Sequence, residues 1–333
     1  MNRIGLILPY YGQLPDYFEL WLKTAGYNED LVDYLLFTDQ DMSHYIVPKN
    51  VKVIDSQFKD VVEKVKTLLN FRFVLDKPYK LCDYKPLYGL IFDEYLKDYE
   101  FWGHCDPDMI WGKVSHFITN EILDNYDRIY RSGHLCIYRN IPSINNAIFI
   151  DDQENKLMKK KFGITYRDIY KHKYCAHFDE GEYMPTIMSG NGINARFYAS
   201  FDFADIFTNK KEFYAINPLT DKQVHFTYFT WNDGILFGID PNGSKKEFDY
   251  IHLQKRKMIK KDKEYQDILI YPNGFMNIPT TILKEDKEKW DQPDPQWELR
   301  YQKYWKQLRY KHIIEGAVFI RIKNKLFGNR GKK

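Results

Sequence analysis

Between residues 3 and 132, short apolar runs alternate with segments whose apolar side chains recur every three or four positions, and few folds accept that alternation. RIGLIL (3–8), DYLLFTD (33–39), VKVID (51–55), YEFWGHC (99–105) and DRIYRS (127–132) read as strands. Helical periodicity covers 16–25, 58–69, 85–96, where Pro86 falls in the first turn, and a segment near 113–123. Strands separated by helices of this length predict a mostly parallel α/β sheet of Rossmann type, covered on both faces, with ligands at the carboxyl ends of the strands. Beyond about residue 150 the pattern loosens. DDQENKLMKKK (151–161) reads as a surface helix or loop, and KEFYAI, HFTYFTW and GILFGID as strands of a smaller, mixed layer with a turn at PNG (241–243). From 297 to 327, Trp305, Leu308, Ile313, Val318, Ile322 and Leu326 stand at near-helical spacing among Lys and Arg, predicting a basic amphipathic helix bent at Gly316. The expected regions are 1–150, 151–295 and 296–333.

Charge separates these regions. Residues 301–333 hold ten Lys/Arg and one Glu, whereas residues 1–300 hold 39 basic and 45 acidic side chains, a net −6. An acidic body argues against a nucleic-acid groove spread over the fold, while the basic end suits local attachment to an anionic surface. The four cysteines (Cys82, Cys105, Cys136, Cys175) form no C-x-x-C pair, so neither a zinc knuckle nor a disulfide framework is expected. The opening MNRIGLILPYYG is too short in apolar residues for a signal-peptide core, and no run reaches the length of a membrane span. A cytoplasmic setting is expected, peripheral at the inner face of the plasma membrane.

The chemistry-bearing stretch is FWGHCDPDMIWG. Asp106 and Asp108 are two apart in an extended chain, so they face the same way, and Pro107 places them just past the strand. A hard divalent ion, Mn²⁺ or Mg²⁺, takes few carboxylates and completes its shell with water and phosphate oxygens, which suits such a pair holding a metal diphosphate. The plain alternative is a solvated turn. Other strand ends add polar groups: Pro9 and Tyr10 in PYYG, Thr38 and Asp39 in FTDQD, and Asp83 and Lys85 in YKLCDYKP. His252 follows an aromatic strand as a late metal ligand, and Lys255, with Arg256 and Lys257, is placed to neutralise diphosphate. RSGHLCIYRN supplies His134 and Arg139, either as structural hydrogen-bonding residues or as contacts to acceptor or diphosphate.

In that order, PYYG, FTDQD, CDYKP, FWGHCDPDMIWG and RSGHLCIYRN resemble a bacterial family of GT-A-type glycosyltransferases of capsule and cell-surface polysaccharide synthesis, some of which are thought to transfer galactofuranose. The resemblance covers about residues 1–255. It implies a UDP-sugar donor with base and ribose near Pro9, Tyr10, Thr38, Asp39, Asp83 and Lys85, and a metal at Asp106, Asp108 and His252. An inverting transfer needs a carboxylate base. Asp179 and Glu180, in the turn-like AHFDEGEYMP, are preferred for it, with Asp233 beside Trp231 as a further candidate. The acceptor expected is a lipid-linked glycan reached from the membrane surface, with a homodimer left open. The competing readings are a metal-dependent phosphohydrolase or nuclease using the same aspartates, and a non-catalytic carbohydrate-binding protein.

Overall fold

The computed structural model describes residues 3–149, 156–178, 183–190, 192–254 and 256–327. The expected alternation is present in its first third: β1 (Ile4–Tyr10), α1 (Phe18–Gly26), β2 (Val32–Thr38), β3 (Val51–Asp55), α2 (Phe58–Leu68) and β4 (Phe101–Cys105). Strands β3, β2, β1 and β4 lie side by side in parallel, with Tyr10 opposite Thr38 and Ile7 opposite His104, so their carboxyl ends form one edge. The first five residues of β1 and all of β4 are buried, as expected of strands covered on both faces. The sheet then turns mixed. It continues through β7 (Leu135–Arg139), β6 (Arg128–Ser132) and β8 (Phe197–Tyr198), and β7 is antiparallel to both β4 and β6.

Two expected helices are broken. Over 85–96 the chain forms a 3-10 segment Pro78–Leu87, a short helix Tyr88–Ile91 and a second 3-10 turn Asp93–Tyr95. Packing overrides periodicity here: Gly89 lies so close to Trp102 of β4 that a Cβ would come within 2.4 Å of the indole. Over 113–123, a 3-10 turn Val114–His116 precedes a short helix Asn120–Asn125 whose start is capped by the Thr119 side chain.

A three-stranded sheet joins distant parts of the sequence. In it β10 (Tyr250–His252) runs antiparallel to β5 (Met109–Trp111) and parallel to β9 (Phe203–Asp205). HFTYFTW is two strands rather than one: Lys222–Phe226 pairs with Phe213–Asn217, while Tyr228–Asn232 lies inside a separate six-stranded sheet. The C-terminal helix breaks where expected, into α3 (Pro295–Ile314) and α4 (Ala317–Phe327), with Gly316 at φ +104° beside His172.

Helix α1 fixes the segment after β4. Its Trp21 indole N–H donates to the Asp106 carbonyl at 3.1 Å. Asn28, just past the helix, donates to the Gly112 carbonyl at 2.9 Å and accepts from the Val114 N–H at 2.8 Å. Gly112 is required by space, because a Cβ there would sit 2.1 Å from the Phe248 carbonyl oxygen. Gly112→Ala is expected to lower the urea midpoint, with a loss of about 1–3 kcal/mol or more.

Candidate functional site

Strand β4 ends at Cys105, and the next three residues carry the chain from the parallel sheet into β5. Asp106 and Asp108 lie in that crossing. Asp108 is nearly buried, and its carbonyl accepts from the Leu253 N–H at 2.9 Å, which ties it to β10. Because His252 is opposite Met109 on one side and Asp205 on the other, the pairing of β10 brings three acidic groups around one imidazole. His252 Nε2 is 3.4 Å from Asp108 Oδ1 and 4.0 Å from Asp106 Oδ2. Its Nδ1 is 2.7 Å from Asp205 Oδ1. The side chain of Gln254 also donates to Asp205, at 2.6 Å.

These distances suit an octahedral ion. Ligands about 2.1 Å from such an ion stand roughly 3 Å apart when adjacent and about 4.2 Å when opposite. Asp106, Asp108 and His252 therefore form a set able to hold one, and His134, Asp205 and His252 form a second, overlapping set. The second set is less available, since the Nδ1 of His252 is committed to Asp205.

Electrostatics follow from burial and neighbours. Burial favours a neutral Asp106, but Lys85, whose ammonium donates to Asp106 Oδ1 at 2.9 Å, outweighs it and holds the carboxyl below its ordinary range. Burial also opposes charge on His252, yet Asp108 and then Asp205 raise its pKa to about 10. His134 lies against His252 with ring centres 4.3 Å apart and planes tilted by 32°, and burial followed by the repulsion of His252 lowers it to about 4. Asp106, Asp108 and Asp205 against Lys85 and a protonated His252 leave a charge of −1. A neutral His252 would leave −2, which a divalent ion balances.

The remaining expected residues divide. Pro9 and Tyr10 end β1 at the same edge, and the Tyr10 hydroxyl is pushed up by burial and then by Asp108 and Asp106. Asp39 is exposed just past β2 and approaches the Gly12 N–H at 3.4 Å, so it borders the edge, whereas Thr38 is buried and accepts from the Gln40 N–H. His134 belongs to the cluster itself. Lys85 is the cation that orients Asp106, and it also donates to the Gly133 carbonyl.

Four expectations are corrected. Asp83 is fully buried: it pairs with buried Lys80 at 2.6 Å and accepts from the N–H groups of Ala176 and Phe178 at 3.0 Å, so no oxygen faces a ribose. Arg139 lies opposite Phe101, at the amino end of β4, and is held by Asp127 and the Leu123 and Tyr126 carbonyls, far along the strand from Asp106. Asp233 is the first residue of an Asp-Gly hairpin turn, with φ +46° followed by +86° at Gly234, and that turn packs on Tyr27 at the far end of α1. Trp231 beside it is buried against the Tyr27 ring. Arg256 is buried too, donating to the Phe207 carbonyl at 2.7 Å. Asp179, Glu180 and Lys255 lie outside the described residues.

Sequence reasoning missed Asp205. Its signal was the form of FDFAD, a short apolar run closed by an acid, as in GHCD.

The fold and site together define a mixed α/β protein with a carboxylate–histidine cluster at the carboxyl edge of its parallel strands. The chain belongs to a family of unknown function (DUF6625), which it matches over residues 6–279, a stretch that contains the whole cluster. No curated protein matches it.

Removing one partner of the buried Lys80–Asp83 pair strands the other charge. Asp83→Ala is expected to cost about 3–5 kcal/mol in chemical denaturation, a loss that ligand does not restore.

Proposed function

We propose that the protein is a metal-dependent glycosyltransferase of GT-A-like architecture, which moves a hexose such as galactose or galactofuranose from a UDP-sugar to a glycan acceptor in surface polysaccharide synthesis. The observation that carries this reading is the convergence of Asp106, Asp108 and His252 at the carboxyl edge of the parallel strands. Asp106 Oδ2, Asp108 Oδ1 and His252 Nε2 would hold Mn²⁺ or Mg²⁺. Such an ion neutralises negative charge on a leaving diphosphate.

The chain's own residues prepare that role. Lys85 takes one oxygen of Asp106 and leaves the other turned toward His252. Asp205 accepts from Nδ1 and so selects the tautomer that presents a lone pair at Nε2. Tyr10 and Asp39 border the side on which the nucleoside would lie, since both close strands of the parallel edge. Asp83 pins Ala176 and Phe178, the residues that lead directly into Asp179 and Glu180, which remain the candidates for the base. An inverting reaction uses one of them to accept the proton of the acceptor hydroxyl.

One observation favours a two-metal phosphohydrolase instead: the overlapping set His134, Asp205 and His252. Metal stoichiometry separates the two. The transferase reading expects one ion per chain and no phosphate release from nucleotides without a sugar.

Two measurements test the proposal. UDP with Mn²⁺ should raise the melting temperature, Asp108→Ala should abolish that shift, and a panel of UDP-sugars should show turnover of at least one donor. An unchanged melting temperature together with inert donors removes the reading. Asp205→Ala should weaken Mn²⁺ binding by about 10–100-fold in direct titration, with Asp205→Asn, which still accepts from Nδ1, recovering most of it. Equal affinity in all three proteins would leave Asp205 without that role.

A further inference from the structure

Helix α3 is twenty residues long and buries none of them. It is tied down at its ends: the Trp297 indole N–H donates to the Thr208 carbonyl at 2.9 Å, and beyond its last turn Ala317 and Ile320 of α4 are buried. Between those ties, Trp297, Tyr301, Leu308 and His312 make a half-buried seam toward the protein. The opposite face follows a spacing of four, three, four and three residues through Leu299, Lys303, Lys306, Tyr310 and Ile313, so these side chains share one stripe. Ile314, 84% exposed, and Tyr310, 64% exposed, lie on it.

Such a stripe is costly in water and carries cations within it. No described helix is long and apolar enough to cross a membrane. A helix lying flat on an anionic bilayer resolves both features, because the apolar groups enter the headgroup boundary while lysine stems lie along it with their ammonium groups at the phosphates. The flanking Arg309 and Lys311 are exposed as well. The placement also fits. Trp297 of α3 stacks on the guanidinium of buried Arg256, 5.0 Å from the ring centre, and Arg256 follows His252 by four residues.

We infer that the outward face of α3 is a docking surface for an anionic lipid bilayer, holding the carboxylate–histidine cluster near the headgroups. It does not depend on the chemistry proposed above, since lipid binding is measured without any donor.

The test is co-sedimentation of the full chain with phosphatidylglycerol or phosphatidylcholine vesicles. Binding is expected to phosphatidylglycerol and to fall as salt rises from about 0.1 M to about 1 M, where the screening length shrinks from roughly 10 Å to roughly 3 Å. K303Q/K306Q should lower the partition coefficient about 30-fold, at about tenfold per 1.4 kcal/mol and about 1 kcal/mol per lysine near the surface. I313S/I314S should weaken binding at both salt concentrations. All four positions are exposed, so unchanged melting temperatures will verify folding. No sedimentation with phosphatidylglycerol, or sedimentation that neither variant alters, overturns the inference. So does a concentration-dependent dimer, lost in both variants without vesicle binding, which would make the stripe a contact between copies of the chain.

Discussion

Strand β10 is the constraint on which the site depends. Asp108, Asp205 and His252 are far apart in sequence, and their meeting rests on two registers, His252 opposite Met109 and His252 opposite Asp205. Side chains alternate across a strand, so a slip of one residue on β10 would turn His252 to the other face and leave the carboxylates without their imidazole. Hydrogen bonds lock both sides: the Leu253 N–H donates to Asp108 at 2.9 Å, and the Ile206 N–H to His252 at 3.0 Å. The fully buried Ile251 preceding His252 makes slippage costly, because it would exchange its core for the face of the polar cluster.

A cluster of partly buried acids needs cations placed with equal care. Lys85 comes from the irregular segment Pro78–Leu87, and the same segment provides Lys80 and Asp83, which hold the chain at 176–178. One short stretch therefore joins two tasks, orienting Asp106 and holding the chain at 176–178. Its irregular backbone is intelligible on that basis. A regular helix would spread residues 80, 83 and 85 around an axis, whereas here all three are buried and partnered.

The parallel edge was legible because its signals are local. Apolar runs, the amphipathic helices at 18–26 and 58–68 and the two-residue spacing of Asp106 and Asp108 are properties of a few neighbouring residues, and there the chain obeys them. Asp233 was misread although its signal was also local: Asp-Gly between two apolar runs is a hairpin turn, and turn chemistry takes precedence over a carboxylate's availability. Asp83 and Arg139 failed for a different reason. Both sit beside informative motifs, but sequence proximity does not say which way a side chain points, and each points into a network of structural hydrogen bonds.

Composition and periodicity by themselves determined a largely parallel sheet at the start of the chain, an acidic body, a basic helical end broken at glycine, and a pair of aspartates at a strand exit. Only the tertiary structure decided that Lys85 serves Asp106, that Asp205 orients His252, and that the mixed apolar and basic stripe of the last long helix faces outward. The physical reason is range. Backbone preference and hydrophobic period act over a few residues, whereas these three outcomes depend on contacts, or on their absence, between segments tens to hundreds of residues apart, fixed by strand register and core packing.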